Sequence, residues 1–167
     1  MGDRLLKVNH AGENGAVAIY SAQIWLARWT APSLVQDLHQ FRADEQGHRA
    51  LFGHALQQRN LRRCRSYWLC WLGGWVLGCI TGLAGARAIH ATTVAVEKVV
   101  LQHLEQQLAA LAGEDENAAS IIAQIVTEEQ LHHDHSATHS RDSGWDRIIH
   151  PIVSRATKSV IWLGMHL

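Results

Sequence analysis

Apolar residues recur every three or four positions through most of the chain, the spacing of one helical face, and polar breaks cut this pattern into six segments. Leu6, Val17 and Ile24 mark a first helix from Asp3 to about Trp29, ended by Thr30-Ala31-Pro32. Ser33 is the expected N-cap of a second helix, which runs to about Asn60 with Leu34, Leu38, Phe41, Phe52 and Leu56 on its stripe. The third segment, Ser66 to Ala86, is 21 residues long, carries no charge and includes Trp68, Trp71 and Trp75. From Ala88 to Ala112 an amphipathic stripe returns through Val94, Leu101, Leu104, Leu108 and Leu111. Gly113-Glu114-Asp115-Glu116-Asn117 is a polar turn, and a fifth helix is predicted from about Ala118 to Ser140. Asp142-Ser143-Gly144-Trp145 breaks the chain again. A sixth helix then fills Asp146 to Met165, with Pro151 in its first turn or bending it. The pattern predicts an all-α fold with residues 1–167 as one domain.

Against that pattern some acidic residues are out of place. Glu97 stands within an apolar stripe, and Glu13 inside the first helical run. Two further acids belong to a repeated motif: Asp44-Glu45-Gln46-Gly47-His48 has a close copy, Glu128-Glu129-Gln130-Leu131-His132, 84 residues later. These are the only two Glu-x-x-His occurrences in the chain. Residues three apart lie on one face of a helix, so each motif can aim a carboxylate and an imidazole at one point. Glu13 precedes Glu45 by 32 residues, and Glu97 precedes Glu129 by 32. The chain therefore contains two half-sites of one design, each a helical hairpin giving a Glu from its first helix and a Glu/His pair from its second.

Together the halves supply Glu13, Glu45, His48, Glu97, Glu129 and His132. Two divalent ions would balance four ionised carboxylates, so the set can be buried in a bundle without a large uncompensated charge. Carboxylate and imidazole ligation without thiolate suits iron or manganese better than copper(I) or structural zinc. Inward-facing Glu residues with a Glu-x-x-His pair on each of two helices are the pattern of di-iron and di-manganese carboxylate bundles. Iron is preferred here on fold analogy.

The uncharged segment meets the length for spanning a bilayer. A single crossing, however, would put Glu13, Glu45 and His48 on one side and Glu97, Glu129 and His132 on the other. A dinuclear site therefore requires the segment to lie on a membrane surface or to cover the bundle. Its Trp residues and the preceding Arg59, Arg62, Arg63 and Arg65 suit an interface with anionic lipid, and an ordinary buried helix is the alternative. Gly74, Gly78 and Gly82 would let another helix approach closely.

Equal numbers of acidic and basic residues, 15 of each, give no overall field that would favour nucleic acid. Cys64, Cys70 and Cys79 form no Cys-x-x-Cys and read as reduced, buried thiols. The start, Met1-Gly2-Asp3-Arg4-Leu5-Leu6-Lys7, has no apolar signal-peptide core.

His10-Ala11-Gly12-Glu13-Asn14-Gly15-Ala16, Thr93-Val94-Ala95-Val96-Glu97 and Glu128-Glu129-Gln130-Leu131-His132-His133-Asp134 occur in this order. In these motifs the chain resembles the demethoxyubiquinone hydroxylase family from about Asp3 to its end. The resemblance implies a ferritin-like four-helix di-iron bundle with an extra apolar membrane-associating helix and a C-terminal helix. It also implies two Fe ions, O2 as co-substrate and hydroxylation of a demethoxyubiquinol ring in ubiquinone biosynthesis. Carried over residue by residue, its ligands are the same six already given by spacing. The chain departs from the family at Asn14 and at Leu104, where the family commonly has Tyr.

Glu45 and Glu129 are the expected bridges between the metals, with His48 and His132 on one metal each. Asp44 and Glu128 precede the motifs at equivalent places and either hydrogen-bond the ligating imidazoles or stand as solvated acids. Tyr20 either hydrogen-bonds in the site or only packs. His10 and His103 either handle protons or are ordinary hydrogen-bonded histidines, and His133, His135 and His139 read as a solvated polar face. The expected partners are a prenylated quinol, a membrane surface, a lipid-delivering accessory protein and further copies of the chain, without nucleic acid. The expected location is the cytoplasmic face of a bacterial inner membrane, or alternatively the matrix face of the mitochondrial one. A bacterioferritin-like iron-oxidising or storage protein is the rival reading. Rivals further off are a rubrerythrin-like peroxidase, disfavoured by three cysteines, and a non-catalytic membrane adaptor.

Overall fold

Six α-helices, with no strand among the described residues, make up the computed structural model, which describes residues 1–140 and 144–166. Helix α1 is Gly2–Thr30, α2 Val35–Gln58, α3 Tyr67–Ala84, α4 Ala86–Leu111, α5 Glu116–Ser140 and α6 Gly144–His166. Periodicity located each helix to within a few residues. Ser33 is not the N-cap of α2: it lies inside a 3-10 turn, Pro32–Leu34, and α2 begins after Leu34 with no side-chain cap. Pro32 explains the difference. Its fixed φ starts the tight turn, the Leu34 amide bonds to the Ala31 carbonyl at 3.0 Å, and the chain enters α2 already helical. Gly144, expected within the last break, opens α6; Asp142 and Ser143 lie outside the described residues. Pro151 falls inside α6, beyond its first turn.

The hairpins α1–α2 and α4–α5 pack together as four helices, and their apolar stripes form two separate cores. At one end Leu6, Phe52, Leu104, Leu111, Ile122 and Ile125 interlock, all fully buried or nearly so. At the other end Tyr20, Ile24, Leu38, Phe41 and Ile89 do the same. Along α1, α2 and α4 the Glu positions fall between the residues of these two cores. The polar motifs therefore occupy the middle layer of the bundle, sealed above and below by hydrocarbon. Arg59, at the end of α2, closes the first end with a two-pronged pair to Asp115 at 2.6 and 2.8 Å. The same Asp115 accepts from the Ala118 amide at 3.1 Å, which caps the start of α5.

The apolar helix α3 does not leave the bundle. It lies along α1, burying Cys70, Gly74, Gly78, Thr81 and Gly82. Glycine is required where the two backbones meet: a methyl group at Gly74 or Gly78 would run into the carbonyl oxygens of Gly15 or Ile19. Polar bonds fix the register, with Gln23 Nε2 donating to Thr81 Oγ1 at 2.9 Å and Thr30 Oγ1 to the Gly82 carbonyl at 2.6 Å. The opposite face of α3 presents Trp68, Leu72, Val76, Ile80 and Leu83 to solvent. Cys64, Cys70 and Cys79 are free, the first two buried and the third half-buried.

Two glycines on different faces of α3 test this packing. Gly78→Ala is expected to destabilise the fold by about 1–3 kcal/mol through overpacking against α1. Gly73→Ala has open space around the added methyl and should stabilise by about 1 kcal/mol through helix propensity. Urea unfolding midpoints of the two variants should therefore move in opposite directions.

Candidate metal centre

The middle layer brings together Glu13 from α1, Glu45 and His48 from α2, Glu97 from α4, and Glu129 and His132 from α5. All six are buried, none more than 5 % exposed. Their ligand atoms form two overlapping groups, each within 4.8 Å: Glu13, Glu45, His48 and Glu129, and Glu45, Glu97, Glu129 and His132. Glu45 and Glu129 belong to both groups, while each remaining Glu/His pair belongs to one. Cations held in these two groups would share two carboxylates.

Both imidazoles turn Nδ1 inward. His48 Nδ1 is 3.3 Å from Glu129 Oε1 and 3.7 Å from Glu45 Oε2; His132 Nδ1 is 3.6 Å from both Glu45 Oε1 and Glu129 Oε2. Their outward nitrogens are held crosswise between the two hairpins. His48 Nε2 meets Glu128 Oε2 at 2.9 Å, and His132 Nε2 meets Asp44 Oδ2 at 3.1 Å. Such a partner on the far nitrogen fixes the tautomer and leaves the near lone pair for a cation. Phe41 packs on the His132 ring, with centroids 4.7 Å apart. The Tyr20 hydroxyl donates to Glu97 Oε1 at 3.1 Å.

The chemistry of a metal can be tested on atoms left without partners. Both Glu45 carboxylate oxygens, Glu129 Oε2, His48 Nδ1 and His132 Nδ1 are fully buried and make no hydrogen bond. Each such group costs about 1–3 kcal/mol when left unsatisfied. All five face one another, so a pair of divalent cations would satisfy them at once, and the residues present fit such a pair.

The same crowding redistributes protons in the metal-free protein. Burial, followed by the repulsion of Glu45 and Glu129, holds the Glu13 carboxyl well above the usual range. Burial, then Glu129 and Glu45, does the same to Glu97. Burial opposes ionisation of Glu45 too, but the two imidazoles beside it, His132 and then His48, outweigh it and bring Glu45 down to about 2. Burial disfavours imidazolium, yet Glu129 and Glu45 overcome it and push His48 to about 12 and His132 to about 10. Protons thus stand in for cations.

The other sequence-marked histidines lie elsewhere. His10 is buried against the Tyr67 ring at 5.0 Å, lowered to about 4 by burial and then by Arg63 and Arg49, with no contact to the cluster. His103 is half-buried in the wall of a cavity of about 240 Å³. Glu13, Glu45, Glu97 and Glu129 also border this cavity, while α1, α3, α4 and α6 give it an apolar wall. Leu69 and Ile152 line it too and are exposed, at 50 % and 62 %, so it opens onto the apolar outer face. Sequence reasoning did not find the contribution of α6. The available signal was its apolar stripe through Ile149, Ile152, Val153 and Val160.

Comparison with known proteins adds an independent finding. The sequence profile of the family described as "Ubiquinone biosynthesis protein COQ7" matches residues 1–164. A protein of Dictyostelium discoideum named "NADPH-dependent 3-demethoxyubiquinone 3-hydroxylase, mitochondrial" is 31% identical across 96% of this chain and 75% of its own length. A Mus musculus protein of the same name is 32% identical across 84% of this chain and 65% of its own. The "3-demethoxyubiquinol 3-hydroxylase" of Janthinobacterium sp. (strain Marseille) is 31% identical across 77% of this chain and 61% of its own. The chain therefore spans three quarters of the first relative and slightly under two thirds of the other two.

Metal uptake must displace the protons of His48, His132, Glu13 and Glu97. Adding Mn²⁺ to the metal-free protein at pH 7 in weak buffer should release protons, and apparent affinity should rise with pH. The two raised imidazoles favour the metal-free fold fully below about pH 6.5, their unfolded value. That contribution fades as pH rises through about 10 and 12. Isothermal titration in buffers of different ionisation heat measures the release; uptake without released protons would contradict the cluster chemistry.

Proposed function

The chain belongs to the COQ7 family of ubiquinone biosynthesis proteins, and on that premise we propose that it is a dinuclear-iron monooxygenase hydroxylating the ring of a demethoxyubiquinol with O2. The observation that carries this reading is the apolar cavity, which has carboxylates of the cluster at its inner wall and exposed Leu69 and Ile152 at its outer one. Such a shape suits an amphiphile with a polar ring and a long hydrocarbon tail: the ring sits against the cluster and the tail leaves along α3 and α6. An iron-storing bundle has no need of it.

In this reading Glu13, Glu45, His48 and Glu129 would hold one iron and Glu45, Glu97, Glu129 and His132 the other. The iron pair, when bound, would supply Lewis acidity and relay to O2 the electrons it receives from a reductant. The chain's own residues do the rest. Glu128 and Asp44 aim the two imidazoles, and the hydrocarbon above and below the layer excludes water. One oxygen atom enters the ring, and the other leaves as water with two electrons and two protons from a reductant outside this chain. A reduced nicotinamide is the natural candidate, because the names of the Dictyostelium and mouse relatives specify NADPH. His103, lowered by burial and then by Lys158, stays neutral at pH 7 and can accept a hydrogen bond from a ring hydroxyl in the cavity.

The exposed apolar face of α3, with Trp25 and Trp29 of α1 and Trp162 of α6, would lie on a lipid surface. α3 is long and apolar enough to cross a membrane, but its glycine seam against α1 holds it on the bundle. The substrate then enters from the bilayer, on the cytoplasmic face of a bacterial inner membrane or the matrix face of a mitochondrial one. An accessory lipid-delivering protein and self-association are compatible partners on the same face, and the chain acts as a single domain.

Iron per chain after anaerobic reconstitution, followed by oxygen uptake on adding a short-tailed demethoxyubiquinol, tests the reaction. Wild type should hold two irons and consume O2 only with the quinol, while Glu97→Ala loses iron and uptake together. Oxygen uptake indifferent to the quinol would favour the bacterioferritin-like rival. Flotation with anionic vesicles tests the surface: a Leu72→Glu, Ile80→Glu double variant should keep its iron and lose at least about tenfold in vesicle affinity, since each buried apolar side chain is worth about 1.5–3 kcal/mol.

A further inference from the structure

A second group of histidines, outside the carboxylate cluster, lies at the end of the bundle where α2 and α4 begin and α5 finishes. His90 of α4 stacks on His139 of α5, with ring centroids 5.0 Å apart and planes at 16°. His135 lies one turn before His139, 5.2 Å between centroids, and its Nε2 is 3.4 Å from Asp37 Oδ2 of α2. His90 is only 6 % exposed. Its surroundings keep it neutral: burial, then His139 and His135, lower it to about 4. A buried imidazole facing two more imidazoles and a carboxylate is poor packing, for which a hydrocarbon side chain would serve better.

We propose that His90, His135 and His139, with Asp37 as an oxygen donor, form a separate mononuclear site for a divalent first-row metal ion. Three imidazoles and one carboxylate suit zinc, cobalt(II) or iron(II) in four-coordinate geometry. Two histidines four apart present their rings on one helical face, the spacing used by helical metal sites. His139 Nδ1 is already engaged, 2.9 Å from both Thr138 Oγ1 and the His135 carbonyl, which leaves Nε2 as the ligand. The rings are stacked rather than convergent, so binding turns exposed His135 and His139 about the fixed His90. Phe41 packs between His135, at 5.5 Å, and His132, at 4.7 Å. One aromatic ring therefore separates this site from the carboxylate cluster, and an ion held here sits on its solvent side.

Optical titration with Co²⁺ at pH 7.5, with cobalt counted per chain after dialysis, tests the site. The readout is a difference between wild type and variants, so it does not depend on how many ions the carboxylate cluster holds. Wild type should bind one more Co²⁺ than His139→Gln, His135→Gln or His90→Gln, and Asp37→Asn should weaken that ion about tenfold or more. The substitutions at His135 and His139 are on exposed side chains and leave the core intact. His54→Gln, an exposed histidine elsewhere on α2, should change nothing. Equal cobalt content and affinity in wild type and the His135 and His139 variants would overturn the proposal. So would an equal loss in His54→Gln, which would mark unspecific surface binding.

Discussion

Four carboxylates and two imidazoles in one buried layer are the constraint on which this structure depends. Transfer of even one unpaired charge into such a layer costs several kcal/mol, so the layer exists only if protons or cations balance it. The rest of the bundle is arranged around that requirement. Leu6, Phe52, Leu104 and Ile125 pack on one side of it, and Tyr20, Leu38, Phe41 and Ile89 on the other. Asp44 and Glu128 stand at the border, half-buried, and each holds an inner imidazole. Because each reaches across to the other hairpin's histidine, the cluster also ties the two halves of the bundle together.

Helix α3 meets a second constraint, that a chain with half of the cluster on each side of an apolar segment must not be divided by it. The solution is local and steric. Glycine on α3 lets the backbone of α1 approach to carbonyl contact, and the bonds from Gln23 and Thr30 hold the register. The surface left outward is then apolar along the whole length of the helix. Since Leu69 belongs both to that surface and to the cavity wall, the same helix that spares the cluster from separation also gives it a hydrocarbon approach.

Much of this was legible in the sequence because helical periodicity and Glu-x-x-His spacing are local signals. The six residues that spacing singled out are the six that the bundle brings together, since a 32-residue interval between two helices of a hairpin fixes which turns face each other. What escaped depends on contacts between distant segments. The partners of Arg59 lie 56 residues away on each side, and the cavity wall from α6 depends on how that helix returns over α4. His90 and His139 are 49 positions apart and meet only because α4 begins where α5 ends. Ser33 misled for the opposite reason: its type suits a cap, but Pro32 had already settled the turn.

The two departures from the family pattern act differently in this fold. Asn14 points away from the cluster: its Nδ2 donates to the Tyr67 carbonyl at 3.1 Å, and its Oδ1 accepts from Arg49 at 2.9 Å. It fastens the start of α3 to α1 and α2, and a tyrosine there would have to abandon both bonds. Leu104, by contrast, belongs to the core of Leu6 and Phe52 and also lines the cavity, so replacing a phenol by an isobutyl group removes a hydroxyl from the wall where the substrate ring is proposed to lie. Polar contact with that ring then falls to His103 beside it, and hydrogen bonding to the cluster from α1 falls to Tyr20 on Glu97. Burial, then the charge of Glu97, raises the Tyr20 phenol well above its ordinary range, so it remains a hydrogen-bond donor at every working pH. The proposed chemistry therefore rests on a neutral donor held against a carboxylate and a neutral imidazole in the wall, both supplied by residues that the missing tyrosines do not touch.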